Sequence, residues 1–338
     1  MVSLGILSLD HPHATGNHIP ALAYLTDRVR VAAIYHEDEA AARPWLERFG
    51  ARYYATRDAL LADPSIQAVL VTSQNFRHAE DCIAAAQAGK DILCDKPIAT
   101  SPQDARQIRD AVEKAGVRFL TTFPVRFNTS VQRVKRLIDE GALGEIKAVM
   151  ATNHGCMYEP GAPEWVKQNA LNGGGCIVDH TVHVADIIRW ITGSEFSTVT
   201  AQADRRLHED IQGEDIGVLQ GKLTGGALYQ IDTSWTRMAE HPMWGDVTFR
   251  IVGSKASASL DIYNNQRVDL YVDGEASALY ANNIVLEHGE IFLDYWRWAE
   301  QGVAPVGANA VDGLRGVELV YAAYESVKEN RAVEVKRA

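Results

Sequence analysis

Short apolar runs recur through the first third of the chain, at Leu4 to Leu9, Val29 to Ile34, Ala68 to Val71 and Ile92 to Cys94. Helix-like stretches between them stop at glycine: Glu39 to Phe49 before Gly50, and His78 to Ala88 before Gly89. Glycine closes helices because it enters the left-handed conformation without steric cost. Ser101 caps a further helix, which opens on Pro102 and runs to Gly116. Buried strands alternating with helices predict an α/β fold with a parallel, doubly wound sheet. Ligands of such sheets lie at the carboxyl ends of the strands. Here those ends are Asp10 to His13, Tyr35 to Asp38, Thr72 to His78 and Asp95-Lys96-Pro97.

After Gly116 the pattern changes. A strand-like run from Val117 to Phe123 and a helix from Thr129 to Glu140 lead into alternating stretches. These are Glu145 to Asn153, Thr198 to Ala203, Ile216 to Leu223, Ala227 to Trp235, Val247 to Val252, Ala258 to Ile262 and Val268 to Val272. Their spacing predicts an open, mainly antiparallel sheet, and a last helix runs from Asp312 to Glu329. The division falls at 1–123 and 124–338, and 338 residues suit two domains.

One helix interrupts the second pattern. Gly173-Gly174-Gly175 precede it, and Asp179, His183 and Asp186 then share a polar stripe, Asp179 and His183 about 40° apart. Val178, Val182, Ala185 and Ile188 form the apolar face, and His180 borders the stripe. The glycines let the backbone approach something crowded. The stripe predicts an acid and a base looking outward from a helix buried on its other side.

Charge narrows the partners. With 33 basic against 44 acidic residues the formal charge is −11, which repels nucleic-acid backbones and anionic lipid. No apolar run approaches membrane-spanning length and the start carries no basic leader. The four cysteines, Cys82, Cys94, Cys156 and Cys176, lack paired metal-type spacing, so a reducing cytoplasm is expected.

A dinucleotide fingerprint after the first strand would place glycines at 8, 10 and 13, where Ser8, Asp10 and His13 stand. A carboxylate is unfavourable beside a pyrophosphate unless Asp10 turns away and His11, His13 or the helix start takes the phosphates. His36 occupies the position of the ribose-binding acid, and Glu37 and Asp38 follow it. Those acids favour NAD over NADP, because they repel a ribose phosphate.

Nearly the whole chain resembles the glucose-fructose oxidoreductase and inositol dehydrogenase (Gfo/Idh/MocA) family. Asp95-Lys96-Pro97 resembles its Glu-Lys-Pro, and the glycine triplet leads to Asp179 and His183 as in that family. Asn75 and His78, Arg126-Phe127, Leu143-Gly144-Glu145, Trp165 and Asp312-Gly313-Leu314-Arg315 support it. The resemblance implies an N-terminal Rossmann domain, a C-terminal domain for substrate and oligomerisation, and hydride transfer between NAD(P) and a secondary hydroxyl of a sugar, sugar derivative or cyclitol. It makes Lys96, Asp179 and His183 the catalytic trio. Leu9, Asp10, His11, His13, His36, Thr72, Ser73, Asn75, His78 and Lys96 are the expected cofactor contacts, and His154, Tyr158, Trp165 and His180 the expected substrate contacts. His183, with an ordinary pKa of about 6.5, suits the base, Lys96 an alkoxide, and Asp179 the hydroxyl and the imidazole. Trp235, His241 and Trp244 are further packing or lid candidates.

Alternatives remain open at this point. They are a glycosidase- or lyase-type reaction through transient oxidation, a non-catalytic sugar sensor, and a metal held by Asp179, His180 and His183 with His154 or Cys156. The preferred expectation is no metal. A homodimer or homotetramer is expected, because the face carrying Tyr229, Ile231 and Thr233 would otherwise meet water.

Overall fold

The computed structural model describes residues 1–157, 163–238, 240–241, 243–263, 267–272, 275–280 and 284–337, the side chains of 264–285 excepted. Six parallel strands form the first sheet: β1 (Val2–Leu7), β2 (Val29–Tyr35), β3 (Arg52–Tyr54), β4 (Ala68–Val71), β5 (Asp91–Cys94) and β6 (Phe119–Thr121). Their order is β3-β2-β1-β4-β5-β6, so the chain switches direction between β1 and β4, where doubly wound sheets bind ligands. The apolar runs are continuous because both faces are covered: Leu4, Ile6, Leu70 and Leu93 sit in one core, Leu7, Val69, Val71 and Ile92 in the other.

The helices of this half are α1 (Ile19–Leu22), α2 (Glu39–Phe49), α3 (Arg57–Leu61), α4 (His78–Gln87) and α5 (Pro102–Ala115). Asp38 caps α2 by accepting from the Ala40 amide at 2.8 Å, and Ser101 caps α5 by accepting from Asp104 N at 3.1 Å. Gly50 and Gly116 close the same helices at φ +60° and +68°. The segment Ala14–His18, before α1, is a π-helical turn.

The second sheet has seven strands: β7 (Ile146–Gly155), β8 (Phe196–Asp204), β9 (Ile216–Leu223), β10 (Leu228–Ser234), β11 (Gly245–Gly253), β12 (Ser257–Asp261) and, at its far edge, the short C-terminal strand Val333–Glu334. Only β7 and β10 pair in parallel. A hairpin of β13 (Arg267–Val272) and β14 (Glu275–Tyr280) stands apart. The helices here are α6 (Thr129–Asp139), α7 (Asn169–Asn172), α8 (Cys176–Thr192), α9 (Ile284–Gln301) and α10 (Ala310–Glu329).

Two of these helices reach back. Ile291, Phe292 and Tyr295 of α9 pack with Val2, Leu4 and Leu22 of the first half. In α10, Leu314 and Val317 join the first core, whereas Leu319, Val320 and Ala323 join the second. The alternation pattern missed α9, whose apolar side chains serve the first sheet, at the other end of the chain.

One expectation is overturned. Tyr229, Ile231 and Thr233 are buried on the face of β10 that packs beneath α8, and Thr233 donates to the Cys176 carbonyl at 3.0 Å. The outer face instead carries Thr152, Gln230, Asp232, Thr248 and Arg250 around Met150.

Candidate active site

The glycine triplet answers to the chain itself. Gly173 and Gly174 have φ of +96° and +152°. A Cβ on Gly174 would lie 2.0 Å from the Tyr324 hydroxyl, and one on Gly175 would lie 2.0 Å from the Glu214 carbonyl oxygen. Glu214 occupies the start of α8: its carbonyl accepts from Cys176 N and its carboxylate from Ile177 N, each at 2.9 Å. A carboxylate there complements the helix dipole. The crowded neighbour is this loop and Tyr324.

α8 is more buried than its pattern suggests, with Asp179, His180 and Asp186 all inside. Lys96, at the end of β5, forms a buried ion pair with Asp179. The other Asp179 oxygen accepts from Trp235 Nε1 at 3.0 Å and lies 3.2 Å from His180 Nε2. Burial opposes ionisation of Asp179, but the Lys96 ammonium and then His180 outweigh it and hold the carboxyl well below its usual range. His180 donates from Nδ1 to the Asn153 carbonyl at 2.9 Å.

His183 lies one turn further, with the Phe123 ring edge-on at 5.7 Å. Its Nδ1 is buried without a hydrogen-bond partner among the described residues. Burial first, and the Lys96 charge second, push its pKa well below 6.5. The ring is therefore neutral near pH 7, with a nitrogen free to take a proton. The expected role of Asp179 in orienting it changes accordingly: the oxygens of Asp179 are directed at Lys96, Trp235 and His180.

Trp165 joins the group by packing on His11, ring centroids 5.7 Å apart, with its buried Nε1 lacking an acceptor among the described residues. Three other residues do not join. Asp186 forms a bidentate pair with Arg126 at 2.6 and 2.7 Å, and Arg126 also reaches Asp312. His154 lies on the outer face of β7, between Asp232 and Asp246 at 3.1 and 3.2 Å. Alternation along β7 turns Asn153 inward and His154 outward, which removes His154 from the substrate residues. His241 is exposed and pairs with Arg237. Tyr158 lies outside the described residues.

The strand-end residues divide similarly. Asn75 donates to Asn172 Oδ1 at 2.8 Å, and both His78 nitrogens face carbonyls, of Pro97 at 2.8 Å and Ser73 at 3.0 Å. These two residues brace the walls of the site. Thr72 donates to the Ser8 carbonyl, and Ser73 to Asp81. A cleft of about 280 Å³ opens at the ends of β1, β2 and β4, lined by Ser8, Tyr35, Glu37, Thr56, Ser73 and Arg77 among others. Glu37 pairs with Arg77 there at 2.6 Å.

Ser8 adopts φ +72°, the left-handed conformation that a fingerprint glycine supplies. The amides that would face a pyrophosphate meet the chain's own acceptors: Leu9 N donates to His36 Nδ1, Asp10 N to Ser8 Oγ, and His13 N to His11 Nδ1. His11 N donates to Thr72 O. The site thus fits a dinucleotide in its cleft and turn conformation, with Glu37, Ser8 and Ser73 lining the cleft. The amides behind those side chains become available to phosphate only when His36, Ser8 and His11 release them.

Sequence reasoning gave Asp95 no role beyond its motif. The structure buries it between Thr122 and His11, His13 and His18. Burial disfavours its charge, but His11 and His13 outweigh that and hold its pKa well below the usual range. His11-x-His13-x4-His18 was a visible cluster, but its carboxylate lies about 80 positions away in the chain.

The sheet order, switch-point cleft and left-handed turn define a dinucleotide-binding oxidoreductase of two α/β units. Residues 13–123 match the family described as "Oxidoreductase family, NAD-binding Rossmann fold", and residues 131–259 match "GFO/IDH/MocA C-terminal domain". The chain belongs to this Gfo/Idh/MocA family, and its first domain is NAD-binding. It is 27% identical to myo-inositol 2-dehydrogenase of Thermotoga maritima over 330 residues, covering 94% of this chain and 95% of that one. It is 35% identical to levoglucosan dehydrogenase of Pseudarthrobacter phenanthrenivorans over 170 residues, 48% of this chain and 43% of that one. A solved structure of a probable dehydrogenase from Thermotoga maritima superposes with a TM-score of 0.84 at 26% identity, over 99% of both chains.

Proposed function

We propose that this protein is an NAD-dependent dehydrogenase acting on a secondary hydroxyl of a sugar, sugar derivative or cyclitol. The observation that carries the reading is the buried Lys96–Asp179 pair beside a neutral His183 whose Nδ1 is unengaged. Bound nicotinamide supplies the hydride acceptor, or the donor in the reverse direction. His183 takes the hydroxyl proton on a ring nitrogen. Lys96 faces the oxygen as charge develops, in a site that excludes water. Asp179 holds Lys96 in place and is held in turn by the Trp235 indole. The Trp165 N–H is placed to donate to a second hydroxyl, which a polyhydroxylated ligand offers.

Residues 1–123 hold the cofactor and 124–338 the substrate. Glu37 favours NAD, because a ribose phosphate would be repelled there, whereas Asp38 is committed to capping α2. The protein assembles as a homodimer or homotetramer. It works in the cytoplasm, a reducing compartment that suits four buried cysteines; no helix among the described residues is long and apolar enough to cross a membrane. The names of the dehydrogenase relatives support the substrate class. The test is a panel of inositols, anhydrosugars and aldoses with NAD, read by NADH absorbance. Turnover of at least one of them, faster with NAD than with NADP, is expected; NAD that binds but is reduced by none of them would contradict the reading.

A further inference from the structure

The buried histidines around Asp95 are not used by the hydride-transfer reading. Asp95 Oδ1 accepts from the Lys96 amide at 2.8 Å and from the Thr122 hydroxyl at 2.9 Å. That fixes the carboxylate and presents Oδ2 to three imidazoles: His11 Nδ1 at 3.2 Å, His13 Nδ1 at 3.2 Å and His18 Nε2 at 3.4 Å. One donor atom from each of His11, His13 and Asp95 lies within 4.8 Å of the others.

Two details point to a cation. His11 Nδ1 accepts from the His13 amide at 3.1 Å, so it carries a lone pair rather than a proton. It therefore faces a carboxylate oxygen as acceptor to acceptor, a contact that a positive ion between them would relieve. His18 is fully buried, and neither of its nitrogens has a hydrogen-bond partner among the described residues. Buried imidazoles are normally satisfied, and this one directs Nε2 toward Asp95 from the edge of the group, outside the three donors that lie together.

We infer that His11, His13 and Asp95 form a binding site for one divalent transition-metal ion of the Zn2+ type. Bonds of about 2.0–2.1 Å in a tetrahedral site place neighbouring donors about 3.3 Å apart, which matches the spacings of His11 Nδ1 and His13 Nδ1 to Asp95 Oδ2. Two imidazoles and one carboxylate favour Zn2+ or Co2+ over Mg2+ or Ca2+. The hydrogen bonds from Thr122 and the Lys96 amide orient the carboxylate from behind, as partners of metal ligands do. His13, with its side chain 20% exposed, gives an entry path. On binding, the ion takes over the lone pair that now receives the His13 amide. Three protein donors leave the fourth tetrahedral position to a water or ligand, and the ion pins the turn after β1 to the end of β5 and stabilises both.

The inference needs neither NAD nor a sugar to be tested. Chelator-treated full-length protein is titrated with Zn2+ by calorimetry, with Mg2+ as control, and Co2+ is added separately while its visible d–d absorption is recorded. One Zn2+ per chain, a raised Tm, no Mg2+ uptake and the intense Co2+ bands of tetrahedral geometry are expected. His13→Gln and Asp95→Asn should weaken Zn2+ by more than about 10-fold, the loss already seen on removing partners of ligands. Should Asp95→Asn fail to fold, His13→Gln carries the test alone. No stoichiometric Zn2+ uptake, weak octahedral Co2+ bands, or unchanged affinity in a folded variant would overturn the site. Calorimetry with NAD on the same samples keeps a failure of the proposed function distinct.

Discussion

The turn after β1 carries Ser8, Asp10 and His13 where a dinucleotide fingerprint has glycine, whereas the turn before α8 carries three glycines in a row. Ser8 tolerates its left-handed φ of +72° because its hydroxyl accepts from the Asp10 amide and the space around it is open cleft. At Gly174 and Gly175 no side chain fits, since backbone and a tyrosine hydroxyl already stand where Cβ would be. Glycine is thus enforced by a close neighbour in one turn and dispensable in the other. The dispensable turn has filled its open space with side chains that satisfy its own amides.

The sharpest way to break this contrast is to add one carbon. Gly174→Ala should cost about 3 kcal/mol or more, combining overpacking against Tyr324 with left-handed strain, read as a fall in denaturation midpoint at unchanged m. Ser8→Gly should do the reverse on a smaller scale, stabilising by about 1 kcal/mol as strain is relieved and tightening NAD in calorimetry as the Asp10 amide is released. Equal and small effects of the two changes would remove the distinction.

The same contrast explains what the sequence reveals. Strands buried on both faces read as plain apolar runs, and helices closed by Gly50 and Gly116 announce their ends, so the parallel sheet is legible. Lys96, Asp179 and His183 are legible through their motif. The partners of Asp179 are not: Trp235 stands 56 residues away and its indole is indistinguishable in sequence from core. Asp186 misled because its spacing puts it on the stripe of Asp179, while the decisive neighbour is Arg126, 60 residues earlier. His154 misled because a one-residue step on β7 reverses its face.

Two pH predictions follow the burial difference between the inner and outer histidines. His183 is pushed below 6.5 by burial and Lys96, so kcat/KM for alcohol oxidation should stay level through pH 6.5 and fall only in more acid solution, where the free-enzyme base takes a proton. Asp179→Asn should move that limb further to acid, since the carboxylate favours the imidazolium. A limb at or above 6.5 would contradict the burial of the base. His154 shows the smaller effect with opposite sign. Asp232 and then Asp246 raise it to about 9 against partial burial. Its contribution to stability is complete below the unfolded value near 6.5 and is lost as pH rises through about 9. Thermal melts of wild type should lose Tm across that window, and His154→Gln should flatten the slope.

The most direct test of the proposed chemistry is His183→Ala, with kcat and NAD affinity measured on the same preparation. The cleft proposed for the cofactor is built by the ends of β1, β2 and β4 and has no α8 residue in its lining, so NAD should bind as to wild type. The rate on whichever sugar or cyclitol proves to be the substrate should fall by about 100- to 10,000-fold, the range for a positioned general base. Near-normal turnover with intact NAD binding would show that another group takes the proton, and the assignment of His183 would be wrong.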